Sequence, residues 1–245
     1  MLPAAVPSRQ HTVQPMVTGT SVLGIVYDKG VLLAADTLLS YGSMAKAQNI
    51  PRLHAVEKTV IGASGEYSDF QRILEILKAK ALEETTTSVM DSLYTEESGM
   101  TAENTWNYLR MLLYSRRSKF NPFWNELLVA GKDLKGKPFL GSVDKIGTTV
   151  RDNFIATGFG AYLAMPLLRE KWRPDLTEGE ARALLEDCMK ILFFRDCRAS
   201  PRIQLAKCAD DEVLVSEPYE LDTAAAWQAE AYRQSVGELE DDGGW

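Results

Sequence analysis

The chain reads as an α+β protein, an αββα four-layer sandwich in which two stacked sheets are flanked by helix layers. Three observations predict this. The elements run strands, two helices, strands, two helices, strands. The early strands form hairpins, with no regular strand–helix–strand alternation of the kind a parallel sheet needs. The strands also mix alternation with continuous apolar runs, the pattern of sheets covered on both faces. With 245 residues, 45% of them apolar, the chain can fill one continuous core.

Residues 1–19 carry Pro3, Pro7 and Pro15 and little periodicity, so they read as a leader, with regular structure starting near Thr20. Thr20–Tyr27 is rich in β-formers, Asp28-Lys29-Gly30 supplies turn chemistry, and Val31–Ala35 returns as an apolar run, which makes a hairpin. Further strands are expected at Leu53–Val56, Thr59–Ser64, Glu126–Ala130, Phe139–Val143, Thr148–Thr157, Ile203–Lys207 and Glu212–Ser216. Phe70, Ile73, Leu74 and Leu77 recur at helical spacing and predict a helix over about residues 67–83. A second helix, about 101–117, aligns Trp106, Leu109 and Leu113. Residues 84–100 are polar and uncapped and read as a loop insertion. A short helix is expected over Ala161–Trp172, with Pro166 near its first turn, where a missing N–H does least harm. Thr177 and Glu180 stand in capping-box spacing ahead of a stripe of Ala181, Leu184, Leu185, Cys188, Ile191 and Leu192. The last stretch turns acidic and glycine-rich, and is either a frayed tail or an arm that orders against a partner.

Bulk properties exclude several functions. A net charge of −7 and no basic run longer than Arg116-Arg117 argue against nucleic acid as a partner. The apolar runs are far shorter than the ~18–20 residues that cross a bilayer, and the first ten residues lack the basic start and apolar stretch of a secretion signal. No membrane association or export is therefore expected. Cys188, Cys197 and Cys208 are odd in number, and His11 and His54 lie far from them in sequence. Neither a disulfide framework nor a metal site follows, and no cofactor is expected; three reduced thiols suit a cytoplasmic or nuclear protein. Gly158-x-Gly160 lacks the third glycine and the βαβ context of a phosphate loop.

The first hairpin raises the functional question. Thr20, just after Gly19 at its mouth, is either a nucleophile released at a new chain terminus or a β-branched residue beginning a strand. Gly-Thr there, with Ala34-Ala35-Asp36 after the turn, resembles the N-terminal-nucleophile hydrolases, and among them the β subunits of the proteasome core particle. The strings "PMVTGTSVLG" (15–24), "LLSYGS" (38–43), "IGASGEYSDFQ" (61–71), "YSRRSKFNPFWN" (114–125), "ATGFGAYLAMPLLRE" (156–170) and "FFRDCRAS" (193–200) are similar to the non-catalytic type-4 branch, the seventh place in the β ring, in family order across nearly the whole chain.

In active members of that family a propeptide is removed so that a threonine becomes residue one, and its own amine, with a pKa near ~8, acts as base for its hydroxyl. The resemblance implies the following assignments here. Thr20 matches the nucleophile and Asp36 its aspartate. The lysine falls on Arg52, whose guanidinium holds its charge but cannot relay a proton. The first orienting serine falls on Phe159, between Gly158 and Gly160. The second aspartate matches Asp196, but its serine falls on Ala199, with Ser200 one place late. The oxyanion glycine corresponds to Gly65, followed by Glu66 where active members tend to be small. In the matching branch the mature chain starts eight residues before the hairpin threonine, which here means a cut between His11 and Thr12. A free amine at Thr12 lies up to about 26 Å of extended chain from Thr20, at ~3.3 Å per residue. The implied protein is a silent subunit whose relic pocket is plugged by residues 12–19; the alternative is an active threonine hydrolase cut at Gly19-Thr20.

The organisation that follows is a leader over 1–11, a β-type domain over 12–217 and a C-terminal extension over 218–245. Implied partners are the other α and β subunits of a stacked, seven-membered-ring particle, with regulatory particles contacted indirectly. Arg116, Arg117, Lys119 and Trp124 read as subunit contacts, because charged and aromatic groups together make good anchors, although the basic residues would also suit a solvated helix end. Trp227 and Tyr232 are the expected aromatic anchors of the extension.

Overall fold

A computed structural model describes residues 14–91, 100–209 and 212–223. The hairpin opens it: β1 (Val22–Tyr27) pairs antiparallel with β2 (Gly30–Asp36), Tyr27 opposite Gly30. Gly30 is required at this turn, since a Cβ there would stand 2.2 Å from the Cys208 carbonyl oxygen. A small hairpin, β3 (Leu39–Tyr41) and β4 (Met44–Ala47), follows, and then β5 (Leu53–Val56) and β6 (Thr59–Gly65). Helices α1 (Tyr67–Asp91) and α2 (Ala102–Ser118) precede β7 (Asn125–Lys132), β8 (Pro138–Val143), β9 (Thr149–Arg151) and β10 (Phe154–Ala156). Helices α3 (Gly160–Leu163), α4 (Met165–Lys171) and α5 (Glu178–Arg195) lead into β11 (Arg202–Ala209), β12 (Glu212–Val215) and β13 (Tyr219–Glu220).

One sheet runs β10-β1-β2-β11-β12, with β13 also on β11; the other runs β5-β6-β7-β8-β9. The two-residue strand period sorts the side chains of the first hairpin between two cores. Val22, Val31, Leu33 and Ala35 point into the space between the sheets, where they meet Leu53, Val60, Leu128, Ala130 and Leu140. Leu23, Ile25, Leu32 and Ala34 point the other way, onto Leu168, Leu184, Leu185, Cys188 and Leu192 of α4 and α5. On the far side Phe70, Ile73, Leu77, Leu109 and Leu113 of α1 and α2 cover Ile61, Leu127, Val129 and Phe139. These three cores separate four layers, α over β over β over α, as the sequence predicts. Every residue of β2 is buried because both of its faces are covered.

The helix starts follow their sequence signals. Thr101 caps α2, its hydroxyl accepting from the Asn104 amide at 3.2 Å. Thr177 and Glu180 form the reciprocal capping box on α5, with bonds of 3.4 and 2.9 Å.

Other expectations are corrected. The polar segment expected as a loop from residue 84 is helical as far as Asp91; residues 92–99 lie outside the described residues. The Thr86 hydroxyl is spent inside the helix, on the carbonyls of Leu82 and Glu83, both at 2.9 Å, so a polar residue continues the turn instead of ending it. The single strand expected over 148–157 is two strands in different sheets. It breaks at Asp152-Asn153, where the Asp152 amide still donates to Leu140 while the Asn153 carbonyl accepts from Val26 of the other sheet. The helix expected over 161–172 is divided at Ala164 into α3 and α4. The β3–β4 hairpin and β13 carry no short-range signal strong enough to predict them. Thr18 and Gly19, assigned to a leader with no core role, are buried.

Two of the three thiols are locked in these cores. Burial pushes Cys188, on α5, and Cys208, between the sheets, each up to about 12, whereas Cys197 is exposed. Iodoacetamide at pH 8 is therefore expected to spare Cys188 and Cys208 in the folded chain and to alkylate both once guanidinium unfolds it. Peptide mapping of the labelled protein checks this, and modification of either at the rate of a free thiol would contradict the burial.

Candidate functional site

The end of β2, the approach to β5 and the residues before β1 converge on Thr20. Thr20 is buried, and its hydroxyl donates to Asp36 Oδ1 at 3.2 Å. Asp36 ends β2 and pairs with Ile203 of β11, and its Oδ2 accepts from the Ser200 amide at 3.2 Å. Arg52 enters from beside β5 and forms an ion pair with Asp36 Oδ1; both side chains are 1% exposed. The three residues matched to nucleophile, carboxylate and lysine are thus brought together.

Their chemistry differs from what a nucleophile needs. A guanidinium has five N–H donors and no acceptor, and all five have partners here. Nε donates to Asp36 O at 2.9 Å, Nη1 to Thr20 O at 3.2 Å and Ala63 O at 3.3 Å, and Nη2 to Ser21 O at 3.0 Å and to the Asp36 carboxylate. Arg52 therefore ties the two residues just before β1 to β2 and β6 and can neither accept nor pass on a proton. Burial pushes the Asp36 carboxyl above its ordinary range, against the opposing pull of Arg52, the Thr20 hydroxyl and the Ser200 amide. The Thr20 hydroxyl meets an acceptor whose charge is already committed to Arg52.

Gly65, matched to the oxyanion donor, lies at the end of β6 with φ +100°. Its N–H donates to the Gly19 carbonyl at 3.1 Å, and its carbonyl accepts from the amides of Thr18 and Gly19, each at 3.0 Å. The donor that would face a developing oxyanion is thus held by the residue before Thr20. Glu66 adds to this contact, its Oε2 accepting from the Met16 amide at 3.3 Å.

The remaining matched positions border this cluster without supplying a hydroxyl to Thr20. Phe159 is 53% exposed, so its ring is turned to solvent. Gly158, at φ +58°, lies against the Thr20 carbonyl group, while Gly160 N donates to Ser21 Oγ at 2.8 Å. Asp196 is buried, and its Oδ1 accepts from the Arg198 amide at 2.9 Å. Its Oδ2 has no partner among the described residues. Ala199 donates its amide to the Asp196 carbonyl at 3.0 Å, and the Ser200 hydroxyl accepts from Arg202 N at 3.2 Å. Sequence reasoning missed Thr18, Ser21, Ser40, Thr157 and Arg198, which complete the pocket through contacts as far as 181 residues apart in the chain. No local pattern signals such contacts.

Of the expected contact residues, Arg116 lies over the Phe123 ring at 4.3 Å, Arg117 over Tyr114 at 5.5 Å, and Lys145 over Trp124 at 4.5 Å. Lys119 caps α2 and is exposed. His11, Thr12, Trp227 and Tyr232 lie outside the described residues. Among the described residues no cluster of metal-ligating side chains occurs, and no helix is long and apolar enough to cross a membrane.

Comparison with known proteins identifies the family. A family model described as "Proteasome subunit" matches residues 16–208. The chain is 43% identical over 218 residues to proteasome subunit beta type-4 of Dictyostelium discoideum, covering 88% of this chain and 81% of that protein. It is 43% identical over 215 residues to proteasome subunit beta type-4 of Arabidopsis thaliana, covering 87% and 84%. Against proteasome subunit beta type-7 of Saccharomyces cerevisiae it is 40% identical over 202 residues, covering 80% and 75%. With the four-layer fold and the threonine at the mouth of its first hairpin, these matches place the chain in the proteasome subunit family, as a β subunit of the core particle with the N-terminal-nucleophile hydrolase fold.

Proposed function

We propose that the chain is a non-catalytic, structural β subunit. It fills one place in a seven-membered β ring, between an α ring and the opposing β ring, and helps to enclose the chamber in which other chains hydrolyse ubiquitin-tagged proteins delivered at the expense of ATP. The observation that carries this reading is the saturation of Arg52: all five of its N–H groups are engaged, so it can take no proton from Thr20, and the one acceptor that the Thr20 hydroxyl meets, the Asp36 carboxylate, is held in an ion pair with that same guanidinium. The Gly19 carbonyl on Gly65 N supports it, because an oxyanion would have to displace that contact. On this reading the leader is cut between His11 and Thr12, the last turn of α2 and Trp124 face neighbouring subunits, the chain beyond β13 and Leu221, which are still part of the domain, forms an arm, and the particle works in cytoplasm and nucleus.

Core particles carrying Thr20→Ala in this subunit are expected to keep all their peptidase activities at wild-type rates. N-terminal sequencing and intact mass of the mature chain are expected to give a start at Thr12. A chain that starts at Thr20 and carries a covalent adduct of a threonine-directed inhibitor on its hydroxyl would make it an active threonine hydrolase instead.

A further inference from the structure

The turn between α5 and β11 contains Arg198, which no catalytic match assigns. Its side chain crosses to the segment before β1: Nη2 donates to the Val17 carbonyl at 2.9 Å, and Nε donates to Ser40 Oγ at 3.1 Å. Ser40 in turn holds the neighbouring residue, its amide donating to the Thr18 carbonyl at 2.9 Å. The Thr18 hydroxyl accepts from Tyr67 N at 3.1 Å, and the Thr18 and Gly19 amides donate to Gly65. Arg198 is itself aimed by the turn that carries it, through its amide on Asp196 Oδ1.

We propose that Arg198 is a positioning residue that straps residues 16–19 across the Thr20 pocket, gripping Val17 directly and Thr18 through Ser40. The inference rests on the reading of a silent pocket and adds the device that keeps it closed. Val17 is 47% exposed and Met16 39% exposed, so side-chain burial contributes little to holding this part of the strand. Backbone and guanidinium hydrogen bonds must supply most of the grip. Two bonds from one charged, planar fork give a directional hold that a single-point ammonium cannot reproduce.

The test is amide hydrogen exchange on purified core particles carrying Arg198→Ala or Arg198→Lys, read by mass spectrometry on a peptide spanning residues 14–23 and on one from β7. With Arg198→Ala, the protected amides of Thr18 and Gly19 are expected to exchange about tenfold faster or more, while β7 is unchanged. Arg198→Lys, which can engage Val17 or Ser40 but not both, is expected to fall between wild type and alanine, and it keeps the test available if the alanine variant does not assemble. Wild-type exchange at residues 14–23 in either variant, or equal acceleration in both peptides, would overturn the strap. Active Thr20 would appear separately, as an inhibitor adduct, and so would fail the functional reading without deciding this one.

Discussion

Replacing Arg52 by methionine is expected to destabilise the chain by about 3–5 kcal/mol, the cost of removing one partner of a buried ion pair. Arg52 and Asp36 are each 1% exposed, so neither can fall back on water. Without the guanidinium, the carbonyls of Thr20, Ser21, Asp36 and Ala63 each lose a donor, and the tie between β2 of one sheet and β6 of the other goes with them. Burial of Asp36 is then opposed only by hydrogen bonds such as those from the Thr20 hydroxyl and the Ser200 amide, and the carboxyl takes up a proton to avoid an unpaired charge. The double variant Asp36→Asn/Arg52→Met is expected to lose less than Arg52→Met by itself, because the stranded carboxylate is gone. Urea unfolding of the purified chain measures both, and equal losses in the two variants would show that the carboxylate is not what makes the single change costly. Arg52→Lys supplies the residue type that the family resemblance implies for active members, but only three donors in place of five, and it leaves Gly19 on Gly65. No peptidase activity is expected from it.

The second large effect is expected at Gly65. Its φ of +100° is a conformation that L side chains rarely adopt, and a Cβ there would stand 2.1 Å from the Trp124 carbonyl oxygen. Gly65→Ala thus combines backbone strain with a clash against backbone that belongs to the neighbouring strand register, Gly65 opposite Asn125. A loss of about 2–4 kcal/mol is expected, from strain of ~1–3 kcal/mol and the displacement of β6 from β7. The same displacement would pull the carbonyl that accepts from Thr18 and Gly19 out of place, so protection at those amides should fall with it. Urea unfolding, with amide exchange at residues 14–23, checks both parts. An alanine variant as stable as wild type would mean that the strand end can relax without cost.

The layers were legible because they depend on local repeats. Phe70, Ile73, Leu74 and Leu77 had to share a helix face, and Val22 to Ala35 had to divide their apolar groups between two sides, whatever the rest of the chain did. The capping box at Thr177 is equally local, since both of its partners lie within one turn. The division of residues 148–157 between two sheets was not legible: Thr149–Arg151 and Phe154–Ala156 have the same β-rich character, and only their partners, β8 and β1, differ.

The pocket shows the same boundary. Sequence alone predicted the four-layer class, and its resemblance to a family implied the matched positions Thr20, Asp36, Arg52 and Gly65 and residues without a hydroxyl at Phe159 and Ala199, because residue identity and order are properties of the chain. Only the tertiary structure decided that Arg52 spends every donor on carbonyls and one carboxylate, that Gly19 occupies Gly65, and that Arg198 reaches Val17. A hydrogen bond needs its two groups within about 3 Å in the right direction, and for residues 181 apart that proximity is created by folding and by nothing in the local pattern.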